Sequence, residues 1–445
     1  MTGGVVFTVT QGDAAMRAAQ GSLVITGDRL VDGTGRMPLT AAALVIDDGT
    51  IVYAGPAAGA PARPGARSID AHGCTIMPGL VEAHFHPTYF DVAALEDLDI
   101  KYPVEYVTLL AAANARLALE CGYTAARSGG SLFNIDVWLK KAIEGGITPG
   151  PRLAASGREI CGVGGLMDWN PDFRRIGMEG LVLLVNGADE ARAAVRKLVK
   201  DGVEWVKTYP TGDAAAPDTN DHHTLCMTFE EMHAVVTTAH NHSLKVTGHC
   251  RATEGIVNAL RAGYDAIEHG TFIDDEGLDL LLARDVPCVP ALYFEWASVE
   301  RGREFGLSER VIDGHRETLE GGAESARRIL RAGGRLGMGG DYGFAWNPHG
   351  DYARELSFFV HHVGLTPLEV LTCATKTGAE IMGRGHDLGT LEPGKLADVL
   401  LVEGDPTEDI RVLEDRRRLR AVIQGGIVKA GRLAIIGDAT TPPAP

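Results

Sequence analysis

The stretch MPGLVEAHFHPTYF, Met77 to Phe90, places two histidines one residue apart, directly after an apolar run and a Pro-Gly break. Side chains in a strand alternate faces, so His84 and His86 point the same way and can reach one ion from the strand's end. Alone, the pair is equally well two hydrogen-bonded histidines closing an ordinary strand. What decides between these is what the rest of the chain brings to the same place.

Upstream, from Gly21 to about Asp70, short β-branched pieces (SLVITG, AALVIDDGTIVYAG, ARSID) alternate with Gly and Asp turns. A matching set returns late in the chain as GKLADVLLVEG (394–404) and RAVIQGGIVKAGRL (420–433). The two ends are expected to build one small β-sandwich lobe together, 21–73 with 389–445. Residues 1–20 have neither a basic start nor a long apolar core, so they read as an extra leader rather than a secretory signal.

Between the ends, short apolar strands alternate with helical stretches: TAARSGG, PRLAASG, EWVKTYPTG, LKVTGHC, DAIEHG, VPCVPALYF and RLGMGGDYG. With CTIMPGLVEAHFH counted first, there are eight, and strand-helix repetition implies a parallel sheet. The helical pieces carry their own signals. In TFEEMHAVVTTAHNH (Thr228 to His242), Thr228 and Glu231 make a capping box before the apolar period begins. The predicted fold class is α/β, a (β/α)8 TIM-type barrel over 74–388. An open doubly wound sheet would carry GxGxxG after its first strand, and that turn is missing here.

The 445 residues hold 42 Lys+Arg against 59 Asp+Glu, a net charge of −17, which argues against nucleic acid and anionic membrane as partners. No stretch approaches the roughly 18 uninterrupted apolar residues of a membrane span. Seven scattered cysteines with no CxxC pair fit reduced thiols, hence a cytoplasmic location. The expected partners are a small-molecule substrate and further copies of the same chain.

Barrel chemistry sits at the carboxyl ends of strands. Strand one ends in His84 and His86, strand four carries Lys207, strand five ends at His249, strand six at His269 and strand eight at Asp341. Imidazoles and a carboxylate suit Zn²⁺ or a similar first-row ion such as Mn²⁺, Co²⁺ or Fe²⁺, and an open coordination position makes such a site catalytic. Lys207 as free ammonium cannot bind a cation and would instead be a core lysine paired with an acid.

With these residues in place, the chain resembles the amidohydrolase superfamily, in particular its binuclear branch near imidazolonepropionase-like proteins, dipeptidases, carboxypeptidases and xenobiotic amide hydrolases. The resemblance rests on MPGLVEAHFH, EWVKTYPTG, LKVTGHC, AIEHG, GGDYG and the late LGTLEPGKLADVLLVEGDP. It implies two divalent metal ions, with His84, His86 and Asp341 on one, His249 and His269 on the other, and Lys207 bridging as a carbamate. The implied function is hydrolysis of a C–N bond in a dipeptide, N-acyl amino acid, aryl amide, urea or carbamate by metal-activated hydroxide. In that mechanism Asp341 carries the proton to the leaving nitrogen.

The pattern departs in places. Dipeptidase relatives usually carry a histidine in the glycine-rich segment after strand three, whereas GREICGVGGLMDW has Leu166 and Met167. They tend to place Tyr after the strand-five histidine, whereas this chain reads His249-Cys250-Arg251. Arg251 is expected to polarise a carbonyl or bind an anion, the alternative being an ion pair with Glu254 or another acid. Tyr89, Phe90, Trp169, Tyr209, Tyr293, Phe294, Tyr342, Phe344 and Trp346 are candidates for an aromatic pocket, and His222 and His223 for contact with substrate. Substrate contact is assigned to Tyr89, His223, Arg251 and Tyr293. Two rivals stand beside this reading. One is a mononuclear deaminase of a cyclic C–N compound, for which Glu254 is the nearest proton shuttle, and the other is a metal-binding scaffold without catalysis.

Overall fold

The computed structural model describes residues 21–171, 173, 180–216 and 220–431, so the expected leader and residues 432–445 of the lobe lie outside the described residues. The chain begins with four lobe strands, β1 (Ser22–Leu30), β2 (Leu39–Asp47), β3 (Thr50–Pro56) and β4 (Arg67–Pro78). A second strand, β5 (Leu80–Phe85), starts one residue after β4 ends. The run read as one strand from Cys74 to His86 is therefore two, and the Pro-Gly break is the passage from lobe to core, five residues later than the expected boundary at 74. The reason is local. A Cβ at Gly79 would overlap the Thr124 side chain, so only glycine lets the backbone turn there.

Parallel strands follow: β6 (Tyr123–Ser128), β7 (Arg152–Ala154), β8 (Glu159–Gly162), β9 (Val182–Val185), β10 (Trp205–Thr208), β11 (Lys245–Cys250), β12 (Ala266–His269) and β13 (Cys288–Val289). They form the sheets β5-β6-β7 and β13-β12-β11-β10-β8-β9. Hydrogen bonds run between the sheets: Trp205 N donates to Ala155 O at 3.1 Å, just beyond β7. In segment 335–338, Gly337 N donates to Cys288 O at 2.9 Å, and Ala83 N of β5 donates to Met338 O at 2.9 Å. With helices after the strands, this is a TIM-barrel-like α/β fold.

VPCVPALYF yields only the two-residue β13 before the helix Leu292–Arg301 takes over. Pro290 has no N–H to extend a ladder. The Glu355 carboxylate accepts from Leu292 N at 3.1 Å and Tyr293 N at 2.7 Å, which satisfies two otherwise unpaired donors of the helix's first turn. The helix expected over 228–242 forms as Phe229–His240 with its capping box complete.

The chain returns through β14 (Val399–Glu403), β15 (Leu419–Gln424) and β16 (Ile427–Gly431), giving one seven-stranded sheet in the order β16-β15-β14-β4-β1-β2-β3. Leu23, Ile25, Leu44, Ile46, Ile69, Ile76, Leu401 and Ile423 form its buried apolar core. All seven cysteines are buried and free. No helix among the described residues is long and apolar enough to cross a membrane.

Candidate metal centre

The carboxyl ends of the parallel strands converge on one small volume. His84 and His86, on the same face of β5, bring their Nε2 atoms to 3.2 Å. Asp341, just past segment 335–338, sets Oδ1 3.3 Å from His86 Nε2 and 3.9 Å from His84 Nε2. The His249 and His269 rings lie 4.4 Å apart between centroids, and His269 is 5.3 Å from His84. Lys207 Nζ is 3.4 Å from His84 Nε2. All six residues expected at strand ends are thus together, and all are buried.

The donors suit a divalent cation. His84 Nδ1, both ring nitrogens of His269 and Asp341 Oδ1 are buried without a hydrogen-bond partner. Each such group costs about 1–3 kcal/mol when nothing replaces water. Two imidazole nitrogens 3.2 Å apart oppose their lone pairs unless a proton or a cation sits between them. Burial holds His84, His86 and His269 well on the neutral side, the form that ligates, and lowers His249 too, with Asp213 opposing. His269 (φ 66°) and Asp341 (φ 52°) also adopt left-handed backbone, a cost for non-glycine residues that persists where surroundings impose it.

Several contributors were not singled out from sequence. Gly129 lets bare backbone lie against the histidines, since a Cβ there would be 2.6 Å from His84 Cδ2 and 2.7 Å from His86 Nε2. Glu268 is buried and pairs with both Lys207 and Arg127. Burial pushes its carboxyl up, but the two cations outweigh burial and hold it well below the usual range. Strand alternation puts residue 268 on the face opposite His269; the left-handed turn at His269 breaks that rule and lets both reach the interior. Glu159 accepts from Tyr209 Oη at 2.5 Å and Tyr89 Oη at 3.4 Å, and stands 3.6 Å from His86 Nδ1. Burial lifts its carboxyl to about 8, with Lys207 opposing. Asp213 lies 3.4 Å from His249 Nε2. Buried acids inside a barrel leave no period in the sequence, so only their partners identify them.

A cavity of ≈ 40 Å³, room for a few waters, opens beside these groups. Its lining combines the ligand-type or charged residues His86, Lys207, Asp213, His249 and Asp341 with Tyr89, Leu95, Leu98, Leu166, Met167, Tyr209, Ala215, Phe294 and Phe344. Tyr89 stacks on His86 at 4.0 Å.

Three expected substrate contacts are corrected. Arg251 does not line the cavity: its Nε lies 2.7 Å from Asp213 Oδ2 and its Nη2 2.7 Å from Glu295 Oε1, so buried acids occupy it. The alternative partner, Glu254, is exposed. His223 is 55% exposed and pairs with Glu317 on the helix Glu309–Arg331. Tyr293 is carried away by the helix Leu292–Arg301 and stacks on Trp296 at 5.4 Å. Of the other aromatic candidates, Trp169 bonds Asp99, Tyr342 bonds Tyr352 O, Trp346 bonds Ser298 and Phe90 is exposed.

Among known proteins, the family model described as the amidohydrolase family matches residues 75–428. Ochratoxinase of Aspergillus niger is 28% identical over 434 residues, spanning 91% of this chain and 85% of that protein. A solved Xaa-Pro dipeptidase with methionine bound in its active site has a TM-score of 0.83 at 27% identity, covering 92% of this chain and all 100% of that one. The crystal structure of A. niger ochratoxinase gives a TM-score of 0.80 at 25% identity, over 93% and 96% of the two chains.

Proposed function

The chain belongs to the amidohydrolase family and is a hydrolase acting on carbon–nitrogen bonds, and from that premise we propose that it cleaves amides with an apolar or aromatic group next to the scissile bond, such as aryl amides or N-acyl amino acids. The cavity carries this reading. Beside the ligand-type residues its lining is Tyr89, Leu95, Leu98, Leu166, Met167, Phe294 and Phe344, which favours apolar substrate surface. The similarity to ochratoxinase supports it.

The parallel strands are read here as a complete (β/α)8 barrel, supported by the hydrogen bonds from segment 335–338 to both Cys288 and Ala83. In this reading His84, His86 and Asp341 would hold one divalent ion and His249 and His269 a second, with Lys207, as a carbamate, serving both. Ions bound there supply Lewis acidity toward the carbonyl and lower the pKa of water. Carbamylation would join Nζ to the carbon of CO₂ and release two protons from the ammonium form, so Lys207 would exchange its positive charge for a negative one. Arg127 then remains to pair the Glu268 carboxylate.

Asp341 moves the proton. It is the one carboxylate of the strand-end set, 3.3 Å from His86 Nε2, and would take a proton from the attacking water and return it to the leaving nitrogen. Tyr89, stacked on His86 and hydrogen-bonded to Glu159, forms the wall against which the substrate lies. The deaminase alternative asks for a glutamate beside His249, and Glu254 is exposed on the outer helix Thr253–Ala262.

The test is a panel with purified, metal-loaded enzyme: anilides, N-acyl aromatic amino acids, phenylureas and carbamates against Xaa-Pro dipeptides. The expected kcat/KM favours aryl amides by about 100-fold, the scale an apolar pocket can supply. A preference of similar size for Xaa-Pro dipeptides overturns the assignment.

A further inference from the structure

The loop after β10 carries a second convergence of ligand-type side chains. His222 and His223 come from this loop and Glu317 from the helix Glu309–Arg331, and one ligand atom of each lies within 4.8 Å of the others. His222 Nε2 is 3.3 Å from Glu317 Oε2, and His223 Nε2 is 3.1 Å from Glu317 Oε1. The two imidazoles have centroids 4.4 Å apart.

His222 is only 7% exposed, and neither of its ring nitrogens has a hydrogen-bond partner. A neutral imidazole buried with both nitrogens idle is costly unless something occupies them. A proton shared with Glu317, whose Oε2 faces Nε2, is one remedy. A metal ion is the other remedy. Zinc–ligand bonds of about 2.0–2.1 Å set the edges of a tetrahedral site at about 3.3 Å, close to the two histidine–carboxylate separations here.

We propose that His222, His223 and Glu317 form a further divalent-cation site of zinc type, separate from the strand-end site, with water completing the coordination. An ion there ties the loop after β10 to the helix Glu309–Arg331. That loop also carries Asp213, which holds His249 and Arg251, and Ala215, which lines the cavity. The Phe272 ring packs on both histidines, at 5.7 and 4.9 Å, and so braces the site from the turn after His269. The added ion therefore fixes one wall of the cavity from outside it.

The experiment is a Zn²⁺ titration of the purified enzyme with its resident ions in place, competed against a chromophoric zinc indicator and counted by metal analysis after desalting. Wild type is expected to bind one equivalent beyond its resident ions, and His223→Ala and Glu317→Gln to lose that equivalent while keeping the resident count. Both positions are more than half exposed, at 55% and 54%, so the variants fold. An absent extra equivalent in wild type, or one retained by both variants, overturns the site. Neither result bears on the amide substrate, because the strand-end ligands are untouched.

Discussion

Arg251 Nε lies 2.7 Å from Asp213 Oδ2, which makes the arginine following His249 the centre of a buried charge network rather than a group free to bind substrate. Its Nη2 reaches Glu295 Oε1, and Glu295 is completed by His315 Nδ1 at 2.7 Å and Thr318 Oγ1 at 2.6 Å. Burial pushes both acids up, but Arg251 holds the Asp213 carboxyl well below the usual range and keeps that of Glu295 low as well. Arg251→Ala removes the cation shared by two buried acids, leaving Asp213 to His249 and Glu295 to His315 and Thr318, and is expected to cost about 3–5 kcal/mol in urea unfolding. Arg251→Lys recovers only part, because an ammonium cannot span both carboxylates with a rigid fork. Unchanged midpoints for both variants would show that the network carries no stability.

Asp341→Asn keeps the side-chain volume and removes the proton acceptor. Turnover should fall by about 10²–10⁴-fold, the range for loss of a general base. Metal analysis of the same sample separates this from ligand loss, and full turnover with metal retained removes Asp341 from the proton path.

Gly129→Ala adds one methyl where a Cβ meets both His84 and His86. Neither ring can retreat, since both are buried and His86 is stacked on Tyr89. The variant should retain its fold by circular dichroism yet lose most of its bound metal and activity. Native metal content in this variant would mean that the rings have slack.

These contacts explain what the sequence could and could not tell. That the HxH pair, Lys207, His249, His269 and Asp341 come together was legible because strand alternation and the carboxyl-end rule act within a few residues of each. The pairing of the two chain ends was legible because β14 and β15 repeat the β-branched pattern of β1 to β4, but they join one seven-stranded sheet where a sandwich was expected. Arg251 was misjudged because its partners are distant in sequence, Asp213 in the loop after β10 and Glu295 in the helix Leu292–Arg301, and local reading offered only Glu254. Glu268 was hidden by the left-handed His269, which suspends alternation at that one position. Tyr293 was misplaced because Pro290 and Glu355 stop a strand that the apolar run would have continued.

Removing metal tests the site directly. Chelation should abolish hydrolysis, and Zn²⁺, Mn²⁺ or Co²⁺ should restore it, with about two strand-end ions per chain at full activity. Refolding with carbon-13-labelled bicarbonate should then give a carbamate carbon signal that is lost in Lys207→Ala. Full activity in a metal-free enzyme sinks this reading, and restored activity without a carbamate signal leaves Lys207 as the ion-paired lysine of Glu268.

His349 contributes to the pH dependence of stability. Its Nε2 donates to Tyr89 O at 2.9 Å, and its Nδ1 meets Tyr352 Oη at 2.8 Å, so the neutral ring holds the backbone behind Tyr89. Burial lowers its pKa from 6.5 to about 4, only partly opposed by the carbonyl of Tyr89. Between those values the unfolded chain binds a proton that the folded chain refuses. The contribution is therefore complete above pH 6.5, falls as pH drops toward 4, and is flat below that, with a slope of at most about 1.4 kcal/mol per pH unit. His349→Gln keeps a donor and an acceptor but does not titrate, so its melting temperature should fall less than that of wild type between pH 7 and pH 4.5. Parallel losses in the two proteins would place the acid sensitivity elsewhere.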